Sequence, residues 1–464
     1  MVKKIDKQSF SLNKASFRDP DGFVFTYQNS IYRQVNNSYR KNFDHLVESG
    51  LYKELVKTNL MVDHKEVDLH FEDPSAYKIL EPVQIPFISY PYEWCFSELK
   101  DAALATIKIQ KTALEYGMTL KDASSYNIQF VSGKPLLIDT LSFEKYMEGE
   151  PWTAYRQFCQ HFVAPLILAS FVDIRLINLL RFYLDGIPLD LTSKLLPKST
   201  YLSPSTFFHV HLHAKAQTQF ANKKKRLSES KKFNRNALLQ LIESLESAIL
   251  KLSLRVKKST WVDYYRDDSY TKVAFNHKLR IVERILSNVK PKSVWDLGAN
   301  TGIFSFLASR RKIETVAFDN DPISVEENYL EMKKRGDKYL LPLVLDLTNP
   351  SPSQGFAGEE RMSLVERGPV DMVLALALIH HLAIVNNLPF KITAKFLSCV
   401  TRWLVIEFVP KSDKKVRFML SFRKDIFYDY NQENFEVQFS KYFTIDKKIK
   451  ITNSQRLIYV MRRR

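Results

Sequence analysis

VWDLGANTGIFSFLA, residues 294–308, decides how the chain is read. Val294 and Trp295 form a buried-type strand, Asp296 ends it, Gly298 to Gly302 form a turn, and Ile303 to Ala308 begin an apolar helix. Glycines at both ends of the turn let the backbone bend tightly and let a ligand lie against bare amides. The first turn of the helix then points unpaired N–H groups and a partial positive charge at that ligand. Strand, turn and helix describe a nucleotide-type site. An ordinary strand-to-helix turn with incidental glycines has the same local spelling, so the neighbouring sequence decides.

Downstream, apolar runs alternate regularly with helical stretches. Strands are expected at Val294–Asp296, Thr315–Phe318, Leu343–Leu345, Met372–Ala377 and Trp403–Phe408. This is the pattern of a doubly wound parallel sheet, and ligands of such sheets bind beyond the carboxyl ends of the strands. Acids stand at those ends. Asp319 closes the second strand, where a carboxylate accepts from ribose hydroxyls, and Asp321 follows it. Asp346 closes the third, where a carboxylate accepts from an adenine amino group. Each acid alone would equally suit a helix cap or a loop. Three in register after apolar runs argue for a cofactor site.

These residues carry a resemblance. DLGANTG (296–302), FDNDP (318–322), LDLTNP (345–350) and DMVLALALIHHLA (371–383) resemble the class I S-adenosylmethionine-dependent methyltransferases. The glycine pattern D-x-G-x-N-x-G differs from the G-x-G-x-x-G of dinucleotide sites. The resemblance implies that Asp296 supports the amino-acid end of S-adenosylmethionine, that Gly298 and Gly302 allow its close approach, that Asp319 holds the ribose, and that Asp346 meets the adenine. Asn300 and Asn320 complete the expected cofactor set. It also implies a Rossmann-like sheet closed by an antiparallel pair, expected at Tyr442–Lys450 and Arg456–Met461. Over nearly its full length the chain is similar to a bacterial family of methyltransferases related to a nodulation protein. FISYPYEWCFSELKDAAL (87–104), LKDASSYNIQF (120–130), IDTLSFE (138–144), ALIHHLAI (377–384) and IEFVPK (406–411) carry that similarity.

Methyl transfer needs orientation above all, and a base only where the acceptor must lose a proton. His380 and His381 follow the fourth strand, where either could be that base, orient an O or N acceptor, or simply pack under the cofactor. Glu407, after the fifth strand, is a second candidate. No (D/N)PP(Y/F) follows the fourth strand, which disfavours adenine amino methylation, and no Cys stands near it, which disfavours a covalent pyrimidine mechanism.

The N-terminal half reads as a separate α+β domain. A hairpin is expected over Phe17–Val35 around Gln28-Asn29-Ser30, a helix over Tyr39–Thr58 broken at Gly50, and a long helix over Leu99–Tyr116. Asp122-Ala-Ser-Ser-Tyr-Asn127, a short hairpin and then Ile138-Asp139 have the spacing of a kinase-type catalytic loop. The half resembles the aminoglycoside-phosphotransferase branch of kinase-like folds. That resemblance implies Asp122 as the base, Asn127 and Asp139 as Mg²⁺ ligands, and ATP–Mg as a cofactor. Departures stand against it: Thr140-Leu141 replaces the usual Phe-Gly, no glycine-rich loop precedes, and Arg33 in IYRQV stands in for the usual lysine. A substrate-recruiting module is the plainer expectation. His209, His211 and His213 alternate, so they are expected to share one face of a strand. No metal is expected there.

Length and composition set the frame. The chain has 464 residues, of which 45% are apolar and 13% aromatic, enough for two or three cored domains. The expected partition is an N-terminal domain over 1–214, a basic linker and helix over 215–260, and the methyltransferase domain over 261–464. Cys95, Cys159 and Cys399 form no C-x-x-C, and the charged start MVKKIDKQSF lacks a signal-type apolar stretch. Both suit a cytoplasmic location. No apolar run is long enough to span a bilayer. The net charge of +17 points to nucleic acid, to an acidic membrane surface, or only to solubility. Its densest cluster, Lys223–Arg226 with Lys231 and Lys232, comes without a nucleic-acid-binding motif. The acceptor and the oligomeric state are not legible. Three functions stay open: a methyltransferase with a substrate domain, a bifunctional phosphotransferase–methyltransferase, and a non-catalytic cofactor-binding interaction protein.

Overall fold

The protein is described by a computed structural model that covers residues 3–4, 10–70, 73–215, 234–254 and 270–464. The chain divides into two compact units, one of residues 1–255 with 354–361, the other of 256–353 with 362–464. The Lys223–Lys232 cluster, and the expected start of the second domain at Trp261, lie outside the described residues.

The first unit opens on an antiparallel sheet of β1 (Phe10–Leu12), β2 (Gly22–Tyr27), β3 (Ser30–Asn36), β4 (His64–Glu66) and β5 (Ala76–Pro82), in the order β1-β2-β3-β5-β4. The β2–β3 hairpin turns at Gln28 and Asn29, both at positive φ, the primed turn that matches strand twist. Gly50, at φ 88°, separates α1 (Arg40–Glu48) from α2 (Leu51–Lys57), as the break in periodicity predicts. Tyr39, Phe43, Val35, Leu80 and Leu141 form one core. The long α3 (Phe96–Glu115) follows, then β6 (Met118–Leu120), a hairpin of β7 (Ile128–Val131) with β8 (Lys134–Leu137), and β9 (Phe143–Lys145), which pairs with β6. The helix expected after the basic linker forms as α4 (Arg235–Lys251), whose Glu246 takes Lys111 of α3 at 2.6 Å.

The histidine triplet corrects the sequence reading. Residues 207–212 wind into a wide helical turn, so no strand face forms. His209 instead meets Tyr155 and Ser244 at 2.7 and 3.1 Å, and His211 meets Ser193 and Thr200 at 2.7 and 3.0 Å. Buried imidazoles are served by hydroxyls.

The second unit is built on a seven-stranded sheet. Its elements are α5 (Lys272–Val289), β10 (Ser293–Leu297), α6 (Ser305–Ser309), β11 (Glu314–Asp319), α7 (Pro322–Arg335), β12 (Leu340–Val344), β13 (Val370–Ala375), α8 (Phe390–Val400), β14 (Thr401–Phe408), α9 (Lys414–Ser421), α10 (Gln432–Ser440), β15 (Phe443–Lys450) and β16 (Leu457–Arg463). The strand order is β12-β11-β10-β13-β14-β16-β15. The first five run parallel, and β16 lies antiparallel beside β14 and β15. The fold is therefore the expected doubly wound α/β sheet closed by an antiparallel pair. Chain order reverses at β10, the switch point, and the glycine turn leaves that strand's carboxyl end.

Local chemistry explains the elements. Ile281, Val282, Ile285 and Leu286 of α5 recur at helical spacing and pack on Val294, Leu374 and Val405. Thr271 caps α5 by accepting from the Ala274 amide at 3.2 Å. Asp321 caps α7, Pro322 opens it, and Gly336 at φ 63° ends it. On the opposite sheet face Phe390, Tyr430, Phe408 and Phe435, in that order, form an aromatic core with successive centroids 5.2–5.6 Å apart. Among the described residues no helix is long and apolar enough to cross a membrane. Leu374 is fully buried at the sheet centre. Leu374→Ala is expected to lower unfolding stability by roughly 2–5 kcal/mol, read by urea denaturation; a loss well under that range would mean this layer is not the packed core.

Candidate functional site

The glycine turn adopts the backbone that its sequence demands. Gly298, Asn300 and Gly302 have φ of 75°, 53° and 79°. A Cβ on Gly302 would lie 2.4 Å from Asn328 Oδ1, so this glycine is required sterically as well as conformationally. The amides of Gly298 and Ala299 both donate to the Phe318 carbonyl at 2.9 Å, which seats the turn on β11. The helix that follows begins at Ser305 and ends at Ser309, later and shorter than the Ile303 start expected, because residues 303–304 complete the turn. Its dipole is correspondingly slight. The turn itself and the acids around it make the cradle.

Among the described residues, two of those acids form no ion pair. Asp296 is buried, and its carboxylate accepts from Ser305 Oγ at 2.6 Å. Burial pushes it up to about 6, against the pull of that hydroxyl and of Lys278. Asp319 accepts from the amides of Asn300 at 2.7 Å and Asp321 at 2.9 Å, and burial likewise pushes it up to about 6. Both acids therefore hold a proton in the folded state between about pH 4 and 6, where an unfolded carboxylate does not, so they withdraw stability as pH rises through that window. Asn320 is exposed beside Asp319. Asp346 lies two residues past the end of β12, beyond the strand expected for it. It accepts from the Thr348 amide and hydroxyl at 2.8 and 2.7 Å, a local turn that leaves further lone pairs on the carboxylate.

The expected catalytic residues fall into two kinds. His380 is fully buried after β13, and among the described residues neither ring nitrogen has a hydrogen-bond partner. Burial, then His381, Arg456 and Lys278, hold it far below the usual histidine range, so it is neutral. His381, its ring 4.3 Å away, is partly exposed and pushed down to about 4 by burial and by Arg456 and Lys415. Leu378, two residues before His380, packs against Gly298, which puts this segment beside the cradle.

Glu407 is also fully buried, but it is engaged. Lys278 Nζ lies 2.7 Å from its Oε2, Arg456 Nη1 3.6 Å from its Oε1, and the Tyr270 hydroxyl donates to Oε1. Lys278 donates to Tyr270 at 3.1 Å, and Arg456 pairs with Asp413 at 2.7 Å. Burial alone would raise Glu407, but Lys278 and Arg456 outweigh it and hold the carboxylate ionised. Lys278, Arg456, Tyr270 and Ser305 escape sequence reasoning. Only Lys278 leaves a signal, a lone charge on the apolar stripe of α5 among Ala274, Ile281 and Val282.

In the first unit the kinase-type residues are gathered, but around an arginine. Arg33 Nη1 lies 2.6 Å from Asp139 Oδ1, and its Nη2 3.0 Å from Asp19. Ser142 Oγ donates to the other Asp139 oxygen at 2.5 Å and receives the Asn127 amide at 3.3 Å. Asp122 accepts from Gln157 at 2.9 Å, and Lys121 pairs with Asp21. Among the described residues no group of acids, histidines or cysteines has metal-binding geometry.

No protein-family model matches the chain. The chain is 36% identical over 456 residues to the nodulation protein NoeA of Rhizobium meliloti strain 1021, covering 97% of this chain and 95% of that one. Among solved structures it is similar to magnesium protoporphyrin IX methyltransferase from Synechocystis PCC 6803, at 16% identity and a TM-score of 0.33, over 44% of this chain and 95% of that one. It is also similar to the bifunctional kinase-methyltransferase WbdD, at 13% identity and a TM-score of 0.29, over 43% and 41% of the two chains. At such scores the fold rests on this chain's own strand order and register.

Breaking the buried network from one side leaves a naked charge. Glu407→Leu is expected to cost roughly 3–5 kcal/mol, and Glu407→Leu combined with Lys278→Met distinctly less. Denaturation of the two variants checks this, and equal costs would mean that the pair is not coupled.

Proposed function

The chain belongs to the family of the nodulation protein NoeA, and from that premise we propose that it is an S-adenosylmethionine-dependent methyltransferase acting on an oxygen or nitrogen acceptor. One observation carries the reading. The glycine turn lies between Asp296 and Asp319, two carboxylates at the ends of adjacent parallel strands that, among the described residues, accept only from hydroxyl and amide donors. The donor set fits this cradle: hydroxyls, an ammonium and an adenine amino group all donate, and carboxylates accept.

S-adenosylmethionine supplies, when bound, a methyl carbon on a positively charged sulfur. Gly298 and Gly302 allow close approach to the backbone. Asp319, with Asn320 beside it, receives the ribose hydroxyls, and Asp346 offers its remaining lone pairs to the adenine. Asp296, buried behind the turn, fixes Ser305 and adds negative potential at the amino-acid end. His380 is neutral and carries an unused lone pair. By its place after β13 it is the residue assigned to take the proton that an O–H or N–H acceptor releases as its bond to the methyl carbon forms. His381 orients the acceptor at the partly exposed rim. Glu407 holds the floor through Lys278 and Arg456 and does not itself move a proton.

Phosphotransfer by the first unit would need Asp139 for Mg²⁺, and Arg33 already neutralises that carboxylate at 2.6 Å. Recruitment of the acceptor is the role that suits this unit.

Calorimetry with S-adenosylmethionine should give binding that Asp319→Ala or Gly302→Ala abolishes; an absence of wild-type binding would remove the proposal. The affinity should fall as pH drops below about 6, by about tenfold at pH 5 for each carboxylate that must be ionised. A flat profile would show that neither acid meets the donor. His380→Asn should lose about 10²–10⁴ in turnover of a labelled methyl group into cell extract, with donor affinity kept. If the wild type binds donor yet never labels extract, the protein is a cofactor-binding partner rather than an enzyme. ATP–Mg²⁺ heat abolished by Asp139→Ala would restore the phosphotransferase reading.

A further inference from the structure

Among the described residues, the most exposed apolar surface of the second unit lies between β14 and α10, outside the cradle. Phe418, Phe422, Ile426 and Tyr428 are 63%, 76%, 57% and 80% exposed. Phe418 and Phe422 are one helical turn apart, on the face of α9 opposite the buried Val416. Large aromatics in such density on a surface mark a contact.

The charge around them selects the partner. Residues 411–429 hold Lys411, Lys414, Lys415, Arg417, Arg423 and Lys424 against Asp413, Asp425 and Asp429. Two of those three acids are already satisfied, Asp413 by Arg456 at 2.7 Å and Asp425 by Lys411 at 2.9 Å. Lys414, Arg417, Arg423 and Lys424 are exposed beside the rings. The segment is also held in shape: the Arg423 guanidinium donates to the Ile384 carbonyl, and the Tyr430 hydroxyl to the Val409 carbonyl at 2.6 Å.

We propose that α9 and the segment through Tyr428 form a docking surface for an acidic phospholipid bilayer. Phe418, Phe422 and Ile426 enter the headgroup boundary, and Lys414, Arg417 and Lys424 meet the lipid phosphates. Nucleic acid fits less well. The two phenyl rings meet edge to face at 4.9 Å, so one of them spends a face on its neighbour, and Ile426 offers no stacking plane. A second copy of the chain would set this positive surface against itself. The Lys-rich stretch 223–232 of the same chain carries the same sign and is no complement either. Arg423 ties the surface to the turn that follows His381, so a bilayer bound there would lie near the proposed acceptor side. The docking itself does not depend on the methyl-transfer reading.

Sedimentation of the full chain with phosphatidylcholine vesicles containing about 30 mol% phosphatidylglycerol tests the proposal. The wild type should bind these vesicles and not pure phosphatidylcholine, and should release in about 0.5 M salt. Phe418→Ser with Phe422→Ser should weaken binding by about tenfold or more. Lys414→Glu with Arg417→Glu should do the same, and both variants should keep wild-type circular dichroism and donor affinity. The proposal is overturned if the wild type does not bind, if zwitterionic vesicles bind as well as anionic ones, or if the folded aromatic variant binds as the wild type does. It is equally overturned if light scattering shows a wild-type dimer that the aromatic variant splits, or if polyuridylate binds more tightly than the vesicles.

Discussion

A single carboxylate, Glu407, ties distant segments of the second unit together. It is the penultimate residue of β14 and has no access to water. Its partners come from distant parts of the chain: Tyr270 and Lys278 from the start of α5, Arg456 from the hairpin between β15 and β16. A hydrophobic cluster of equal volume would hold these elements at least as firmly, because burying ions costs solvation that their attraction only partly returns. What it would not do is fix them in register. An ammonium must reach within hydrogen-bond distance of its carboxylate, and a guanidinium must present the correct edge to two acids. The network thus converts loose layer packing into one arrangement of α5, β14 and the closing hairpin.

That arrangement sets the electrostatics of the neighbouring residues. Lys278 and Arg456 face His380, so an imidazole that burial already discourages from charging is kept neutral. Lys278 also faces Asp296 from behind the glycine turn. The cations act at a distance, and their own charge is spent on Glu407 and Asp413. The site is therefore polarised without exposing a fixed charge where the acceptor would lie.

Much of this was legible in the sequence, and what was not shares a physical cause. Strand ends and tight turns are fixed by backbone geometry, so Asp296, Gly298, Gly302 and Asp319 could be read from spacing alone. The doubly wound order and the antiparallel closing pair followed from alternation and from the resemblance. Lys278, Tyr270 and Arg456 are meaningful only through contacts with Glu407 from far along the chain, and no local pattern carries such a contact. Asp346 and the short α6 were displaced by a few residues because loop closure, rather than apolar periodicity, decides where an element stops. The histidine triplet failed for another reason. Alternation predicts a strand only where a sheet partner exists, and there the chain instead coiled its imidazoles inward to hydroxyls on Tyr155, Ser193, Thr200 and Ser244.

The two units treat their acids in opposite ways, and the difference bears on which of them awaits a ligand. In the first, Asp139 and Asp19 share Arg33, Asp21 takes Lys121, and Asp122 takes the Gln157 amide. Its kinase-like cluster is electrostatically closed, and opening it to a divalent cation would first mean moving an arginine. In the second unit Asp296 and Asp319 form no ion pair among the described residues, accept only from hydroxyl and amide donors there, and are both pushed up to about 6 by burial. A carboxylate raised by burial and held in no ion pair is stabilised by any donor that reaches it, and most by a positively charged one. S-adenosylmethionine carries both a sulfonium and an ammonium. By this reasoning the glycine turn, rather than the acids gathered around Arg33, is where a cationic ligand would gain free energy.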